Sequence, residues 1–417
     1  MKKLLVAFVT AILLISSCTG LIFAEKTEIL WATCCGQADR TQLFDQLAKQ
    51  YMAENPNVEI TVIWPPGSYN DTLKTWIVAG SGADVMWIGQ GLMDMADMML
   101  PLNDLVSDRS VGTIHPKLLQ KASWNGAQIG IPFGANANVL TYNKDMLSEY
   151  GIASPTAKWT WDDAYAMGKR IAKDLDGDGR IDQWLITPVI GVNFYQADDF
   201  YTADMRHTNL TNPVHIAASQ FLLDTLTGRN GICPPGQTYQ SQQFYLAKKV
   251  TFLQIGPFSL PTLRSESSFD WDIVPAPAFV YNGKRYDSSA VALESWSVNK
   301  ESKNPKVAAD FVRWLLQPAA MQQVADAGIV IPTLPRVQSA FLKQPTPPKN
   351  LNAFFNALEN AKITMADHPA YSYVNRVLST GGNELYNKVY RGETSAATAF
   401  PELDKQINAI LAEWWAK

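Results

Sequence analysis

The chain has 417 residues, a formal net charge of −4 and four cysteines. That length exceeds one small core and predicts two or three domains at roughly 150 residues each. The mild acidity, with no basic patch, argues against a nucleic-acid partner, and so few cysteines exclude a disulfide-stapled scaffold.

The first 24 residues read as an export leader: a basic start, Met1-Lys2-Lys3, then an apolar run over 4–15. Two endings compete. ISSC (15–18) resembles a lipobox, which would place a lipid on Cys18 and anchor the chain to a membrane, whereas LIFAEK offers a plain cut after Ala24. Either way the mature chain is expected in the periplasm or outside the cell. No later run approaches the ~20 apolar residues of a membrane span. After the cut, Cys34, Cys35 and Cys233 remain, so at least one thiol stays unpaired.

A strand is predicted at TEILWAT (27–33). A helix follows, with Leu43, Leu47 and Tyr51 at helical spacing and Pro56 as its stop. A second strand, VEITVIW (58–64), a helix from about Tyr69 and a third strand, DVMWI (84–88), complete a doubly wound α/β pattern. Ligands of such sheets bind beyond the carboxyl ends of the strands, which singles out the loops 33–38, 64–70 and 87–91. The candidates there are Cys34, Cys35, Trp64, Tyr69, Asn70, Trp87 and Gln90. Cys34 and Cys35 could form a vicinal disulfide, stay as two thiols, or pair one of their sulfurs with Cys233.

IGIPFGANANVLTYNKDML (129–147) carries strand-like alternation through a bend into a second unit, and Asn136 and Asn138 follow its first strand. Their amides donate and accept at once, which suits a hydroxyl pair or a turn cap. From 142 to 290 the chain is richer in helix, with Thr160 as an N-cap for 160–175 and a further helix over 212–232. The segment 193–201 supplies Tyr195, Gln196, Asp198 and Asp199 as cleft candidates, and Phe258 follows the turn IGP. DSSAVALESWSVNK (287–300) alternates like a strand, 304–328 is a helix pair broken at Pro318, and 350–417 reads as all helix. Trp314, Trp414 and Trp415 lie within helices and are expected in the core.

DLDGDGRIDQWL (174–185) sets Asp174, Asp176, Asp178 and Asp182 in the EF-hand order with Gly179 sixth, yet position twelve is Leu185 instead of the bidentate Glu. It is either a weak structural Ca²⁺ clip or a solvated turn whose Asp and Gly serve backbone geometry. No other cofactor is indicated. The histidines at 115, 207, 215 and 368 are scattered and form no zinc motif.

Several stretches, in this order and spacing, resemble the extracellular solute-binding proteins of carbohydrate ABC transporters, the family 1 group that includes maltose-binding protein. They are FDQLAKQYMAENPNVEITV, SGADVMWIGQ, LPLNDLV, IGIPFGANANVLTYNKDML, TWDDAYAMGKRIA, DGDGRIDQW, FDWDIVPAPAF and NPKVAADFVRWL. The resemblance implies an α/β, two-lobed periplasmic-binding-protein fold of type II, with doubly wound lobes and a hinge. It places lobe 1 at 25–140 plus 291–335 and lobe 2 at 141–290 plus 336–417. It also implies no catalysis, a sugar (an oligosaccharide, given the aromatic supply) held in the cleft, a membrane permease as partner and a monomeric chain. Within it Trp296, beside Glu294, lies where the chain returns to the first lobe and such proteins often touch sugar. Two alternatives stand beside this reading. A secreted glycoside hydrolase would need a carboxylate pair ~5 to 10 Å apart, such as Glu294 with Asp198 or Asp199. The other is a binder of a non-sugar solute, such as a glycerol phosphate or a polyamine; a phosphate ligand would need cations, of which only Arg40 is close to a candidate loop.

Overall fold

The computed structural model describes residues 26–34, 38–89, 91–108, 113–114, 116–187, 197–234, 241–287 and 291–416. Strand β1 (Thr27–Ala32) pairs in parallel with β2 (Val58–Ile63) and with β3 (Val85–Ile88). The helices Ala38–Glu54 and Tyr69–Val78 supply the crossovers that parallel pairs require. In the first of them Leu47 and Tyr51 are buried and Leu43 packs against the same core from a half-buried position, the face their spacing predicts. Strands β4 (Ser123–Trp124) and β5 (Ala127–Gln128) form a small hairpin. Its Asn125-Gly126 turn has φ of 48° and 78°, the left-handed pair that an Asn-Gly turn adopts.

Strand β6 (Ile131–Ala137) is separated from β7 (Val139–Asn143) by Asn138 alone, yet the two belong to different sheets. Strand β7 joins β8 (Trp184–Ile186), β9 (Val250–Ile255) and β10 (Trp271–Val274) in a four-stranded sheet ordered β10-β7-β9-β8. After a hairpin of β11 (Phe279–Tyr281) and β12 (Lys284–Tyr286), strand β13 (Val291–Val298) returns to the first sheet, as does the short β14 (Ile331–Pro332). That sheet is six-stranded, ordered β14-β6-β13-β3-β1-β2, with β13 antiparallel to both neighbours. Two α/β lobes joined by crossing segments are the result.

The first core is an aromatic stack in which Trp31, Phe44, Trp87, Phe133, Trp296 and Phe311 meet edge to face or face to face. The second sheet buries Phe252 and Trp271. A third core packs Phe400, Leu403 and Ile407 of the helix Ala396–Trp415 against Phe200 and Leu223. Thr160 caps its helix as predicted, in a reciprocal box with Asp163. The tail is helical throughout its regular elements, and no strand follows Pro332 among the described residues.

Candidate functional site

A cleft of ≈ 940 Å³ runs between the lobes, over the strands that connect them. Its floor carries Asn136 and Asn138 from the β6–β7 passage and Glu294 from β13. One wall holds Gly89, Gly91 and Lys121, and the other holds Gln254 and Phe258 beyond β9 with Tyr371, Tyr386 and Tyr390 from the C-terminal helices. The lining thus sets amides, carboxylates and phenols among aliphatic side chains such as Leu92, Met93, Leu226 and Leu378, with one exposed phenyl ring.

Glu294 is the best-built group of the floor. The register of β13 against β6 shifts between Glu294 and Ser295, where β6 carries the extra residue, Phe133. The Glu294 carboxylate accepts the Trp87 indole N–H and, at 2.5 Å, the Asn136 Nδ2–H. Gly89 leaves the room, because a Cβ there would lie 2.6 Å from the Glu294 carboxylate. Only 8% of the residue is exposed, and burial pushes its carboxyl up to about 7, against the pull of the Trp87 and Asn136 hydrogen bonds and of Arg40. Arg40 lies over the Trp87 ring, 5.8 Å from its centroid. Opposite, the Phe258 ring rests on Gly256, where a Cβ would stand 2.5 Å from it.

Of the sequence candidates, Asn136, Asn138, Phe258 and Glu294 are brought together on the lining. Two of the three candidate indoles, Trp87 and Trp296, are corrected to the core. Trp296 is 1% exposed and stacks on Phe133 at 4.2 Å, because it lies one pleat repeat below Glu294 and Phe44 covers it. Trp87 is 3% exposed, so what it offers the site is its N–H, passed to Glu294, not its face. Trp64 is half-buried against Phe44 and lies off the lining. Tyr69 donates its hydroxyl to the Ala32 carbonyl at 3.2 Å, and burial and the Glu294 charge hold that phenol well above its usual pKa. The Asn70 amide stands beside Gly91 at the cleft edge, close enough that a Cβ on Gly91 would meet it at 2.6 Å.

Asp198 faces Lys284 at 3.6 Å and Asp199 accepts the Ile363 N–H at 2.8 Å; neither lines the cleft. The pairs named for the hydrolase alternative, Glu294 with Asp198 or Asp199, thus do not share this lining. Cys34 is disulfide-bonded and Cys233 is free, which overturns both the pairing between them and the reading with two free thiols at 34 and 35. Cys35, Gln90, Tyr195 and Gln196 lie outside the described residues.

In the acidic loop the carboxylates of Asp174, Asp176 and Asp182 approach within 4.8 Å of one another, while Asp178 is apart from them and accepts the Arg180 N–H. Asp174 accepts the N–H groups of Gly177 and Gly179, each at 2.7 Å, which lowers its pKa. Asp182 accepts the Leu175 N–H at 2.9 Å. These carboxylates cap the backbone of the turn.

Sequence reasoning missed Lys121, Asp367 and the tyrosine wall. Tyr386 and Tyr390 stand four residues apart, one face of the helix Glu384–Arg391. That spacing marks a shared face but not what the face meets.

The profile of bacterial extracellular solute-binding proteins matches residues 37–322. The chain belongs to this family. Curated relatives of this solute-binding protein include the maltotriose-binding protein of Pyrococcus abyssi, 26% identical over 314 residues, which are 72% of this chain and 65% of that protein. Another is the melibiose/raffinose/stachyose-binding protein of Bacillus subtilis, 21% identical over 78% of this chain and 80% of that one. Among solved structures, a Listeria monocytogenes ABC substrate-binding protein in complex with cycloalternan superimposes with a TM-score of 0.78 at 20% identity, covering 93% of this chain and 99% of that one. At such identity the likeness shows the fold, and the fold is that of a two-lobed solute-binding protein.

Proposed function

We propose that this protein captures an oligosaccharide between its lobes and delivers it, unaltered, to the permease of an ABC transporter. The observation that carries the reading is the composition of the cleft. Asn136, Asn138 and Glu294 offer paired polar groups on the floor, while Phe258, Tyr371 and Tyr390 offer ring surface above them. Sugars have polar edges and apolar faces, so this is the arrangement their recognition calls for. The volume of ≈ 940 Å³ sits near the top of the ~300–1,000 Å³ range of ligand pockets, which leaves room for several rings. The names of relatives that bind maltotriose and raffinose support the same class.

The lobe boundaries 25–140 plus 291–335 and 141–290 plus 336–417 are supported by where the chain changes sheet, at Asn138 and again before β13 and after β14. Work outside the cytoplasm as a monomer, released after Ala24 or tethered through Cys18, completes the proposal. A phosphate-bearing solute fits less well, because Arg40 lies over the Trp87 ring at 6% exposure and Lys121 is paired with Asp367.

The test is a thermal-shift screen against mono- and oligosaccharides. A ligand at 100 times its dissociation constant should add about 2.7 kcal/mol to stability. No shift with any saccharide, or turnover of one, sinks the reading.

A further inference from the structure

At Glu294 and Asn136 the floor of the cleft gathers acceptor atoms with unused lone pairs. Each Glu294 oxygen already takes one N–H, one from the Trp87 indole and one from Asn136. Each retains a second lone pair. Beside them the Asn136 Oδ1 is buried and has no hydrogen-bond partner. The Asn136 amide nitrogen donates to Glu294, so this oxygen needs a donor from elsewhere.

Among the described residues no cation pairs with Glu294, whereas the Lys121 of the wall is taken by Asp367. The groups that face Glu294 are Trp87 and Gly89 at the end of β3, Asn136 on β6, Tyr69 on the helix Tyr69–Val78 and Arg40 on the helix Ala38–Glu54. Of these only Arg40 is cationic, and its guanidinium is placed over the indole that stands next to the carboxylate. A buried carboxylate in this state gains most from a ligand that brings its own positive charge.

We propose that the cleft selects a saccharide bearing a protonated amine, and that this ammonium sits between the Glu294 carboxylate and the Asn136 carbonyl oxygen. An ammonium carries three donors and no acceptor, the complement of what the floor presents. A neutral hydroxyl brings one donor to a place with two acceptors, and an N-acetyl group replaces the charge with a carbonyl facing a carboxylate. The inference rests on the oligosaccharide reading above and narrows it.

The experiment is calorimetry and thermal shift at pH 7 with matched triples of α- and β-linked sugars, one to three rings long. Each triple holds a hydroxyl, a free-amine and an N-acetyl form. The inference expects the free-amine member of the best triple to bind at least tenfold more tightly than the other two, and expects that lead to vanish in Glu294→Gln. A hydroxyl or N-acetyl form that binds as tightly overturns the inference and leaves the sugar reading standing. Survival of the amine preference in Glu294→Gln also overturns it. Failure of every saccharide to bind removes the sugar reading and the inference together. The wild-type triples decide the matter alone should the variant not fold.

Discussion

Lys121, at the end of the helix Pro116–Lys121, pairs with Asp367 of the C-terminal region, and both line the cleft. The Lys121 ammonium meets the Asp367 carboxylate and also donates to the Lys362 carbonyl at 3.1 Å. The pair does not stand alone: Ser372 donates to Asp94 across the same seam, and the Trp124 and Trp415 rings meet, tilted by 35°, at 5.3 Å. Asp367 keeps partners without Lys121, since it accepts the Thr364 N–H at 2.6 Å and the Thr364 hydroxyl at 3.0 Å. Lys121→Met should therefore loosen the seam without wrecking the turn. A partly buried pair of this kind contributes about 1–2 kcal/mol, between the exposed and the buried cases, so ligand should bind roughly 5- to 30-fold more weakly. Small-angle scattering of the ligand-free variant should show a larger radius of gyration. An unchanged radius would refute a role in holding the lobes.

Trp296 and Phe258 should part company under mutation. Trp296→Ala removes a ring packed against Trp31, Phe44, Trp87 and Phe133. The cost should be roughly 3–5 kcal/mol, a fall in Tm of roughly 6 to 20 °C. Phe258 is 44% exposed and faces the cleft, so Phe258→Ala should leave Tm nearly unmoved. It should instead weaken binding by about 1 kcal/mol, roughly fivefold. Paired melting curves and titrations check both, and a Trp296 variant that melts like wild type would return that indole to the ligand.

These two residues also mark where the sequence ceases to speak. Alternation in strands and spacing in helices located β1, β2, β3 and the helix bearing Leu47, because each depends on neighbours in the chain. Thr160 and Asp163 sit at the capping-box spacing and form the box. Trp296 could not be assigned a side, because β13 lies in the middle of its sheet and every residue from Leu293 to Val298 is buried. In such a strand polarity carries no facing information. The tyrosine wall was invisible for another reason. Tyr371, Tyr386 and Tyr390 reach the cleft only through the docking of the C-terminal helices, a long-range event with no local signature.

The cysteines should divide cleanly under alkylation. Cys233 is 1% exposed, and burial raises its thiol well above the ordinary range. Native protein should be inert to a thiol reagent at pH 8. Denaturation without reductant should release one reactive thiol, and peptide mapping should place it at Cys233, with Cys34 in a disulfide peptide that lacks Cys233. Two or more thiols in the denatured, unreduced chain would contradict this pairing.

Stability against pH should be flatter in the wild type than in either of two variants. Glu294 has its carboxyl raised by burial from 4.5 to about 7, so between those values the folded chain holds a proton that the unfolded chain has lost. Its contribution is whole below pH 4.5 and drains away as pH rises to 7. His368 runs the other way. It is fully buried among Trp124, Tyr201, Trp414 and Trp415, with Nδ1 accepting the Ala370 N–H, and burial lowers its pKa from 6.5 to about 4. Its contribution is whole above pH 6.5 and is lost as pH falls toward 4. His215, lowered by burial as well, adds to the second trend. The slopes oppose each other at up to about 1.4 kcal/mol per pH unit for each group. Glu294→Gln should therefore leave a protein that gains stability steeply from pH 4.5 to 6.5, and His368→Phe one whose stability declines more with rising pH than that of the wild type. Urea titrations at half-unit intervals read both slopes. Parallel profiles for the three proteins would show that neither group titrates as its burial requires.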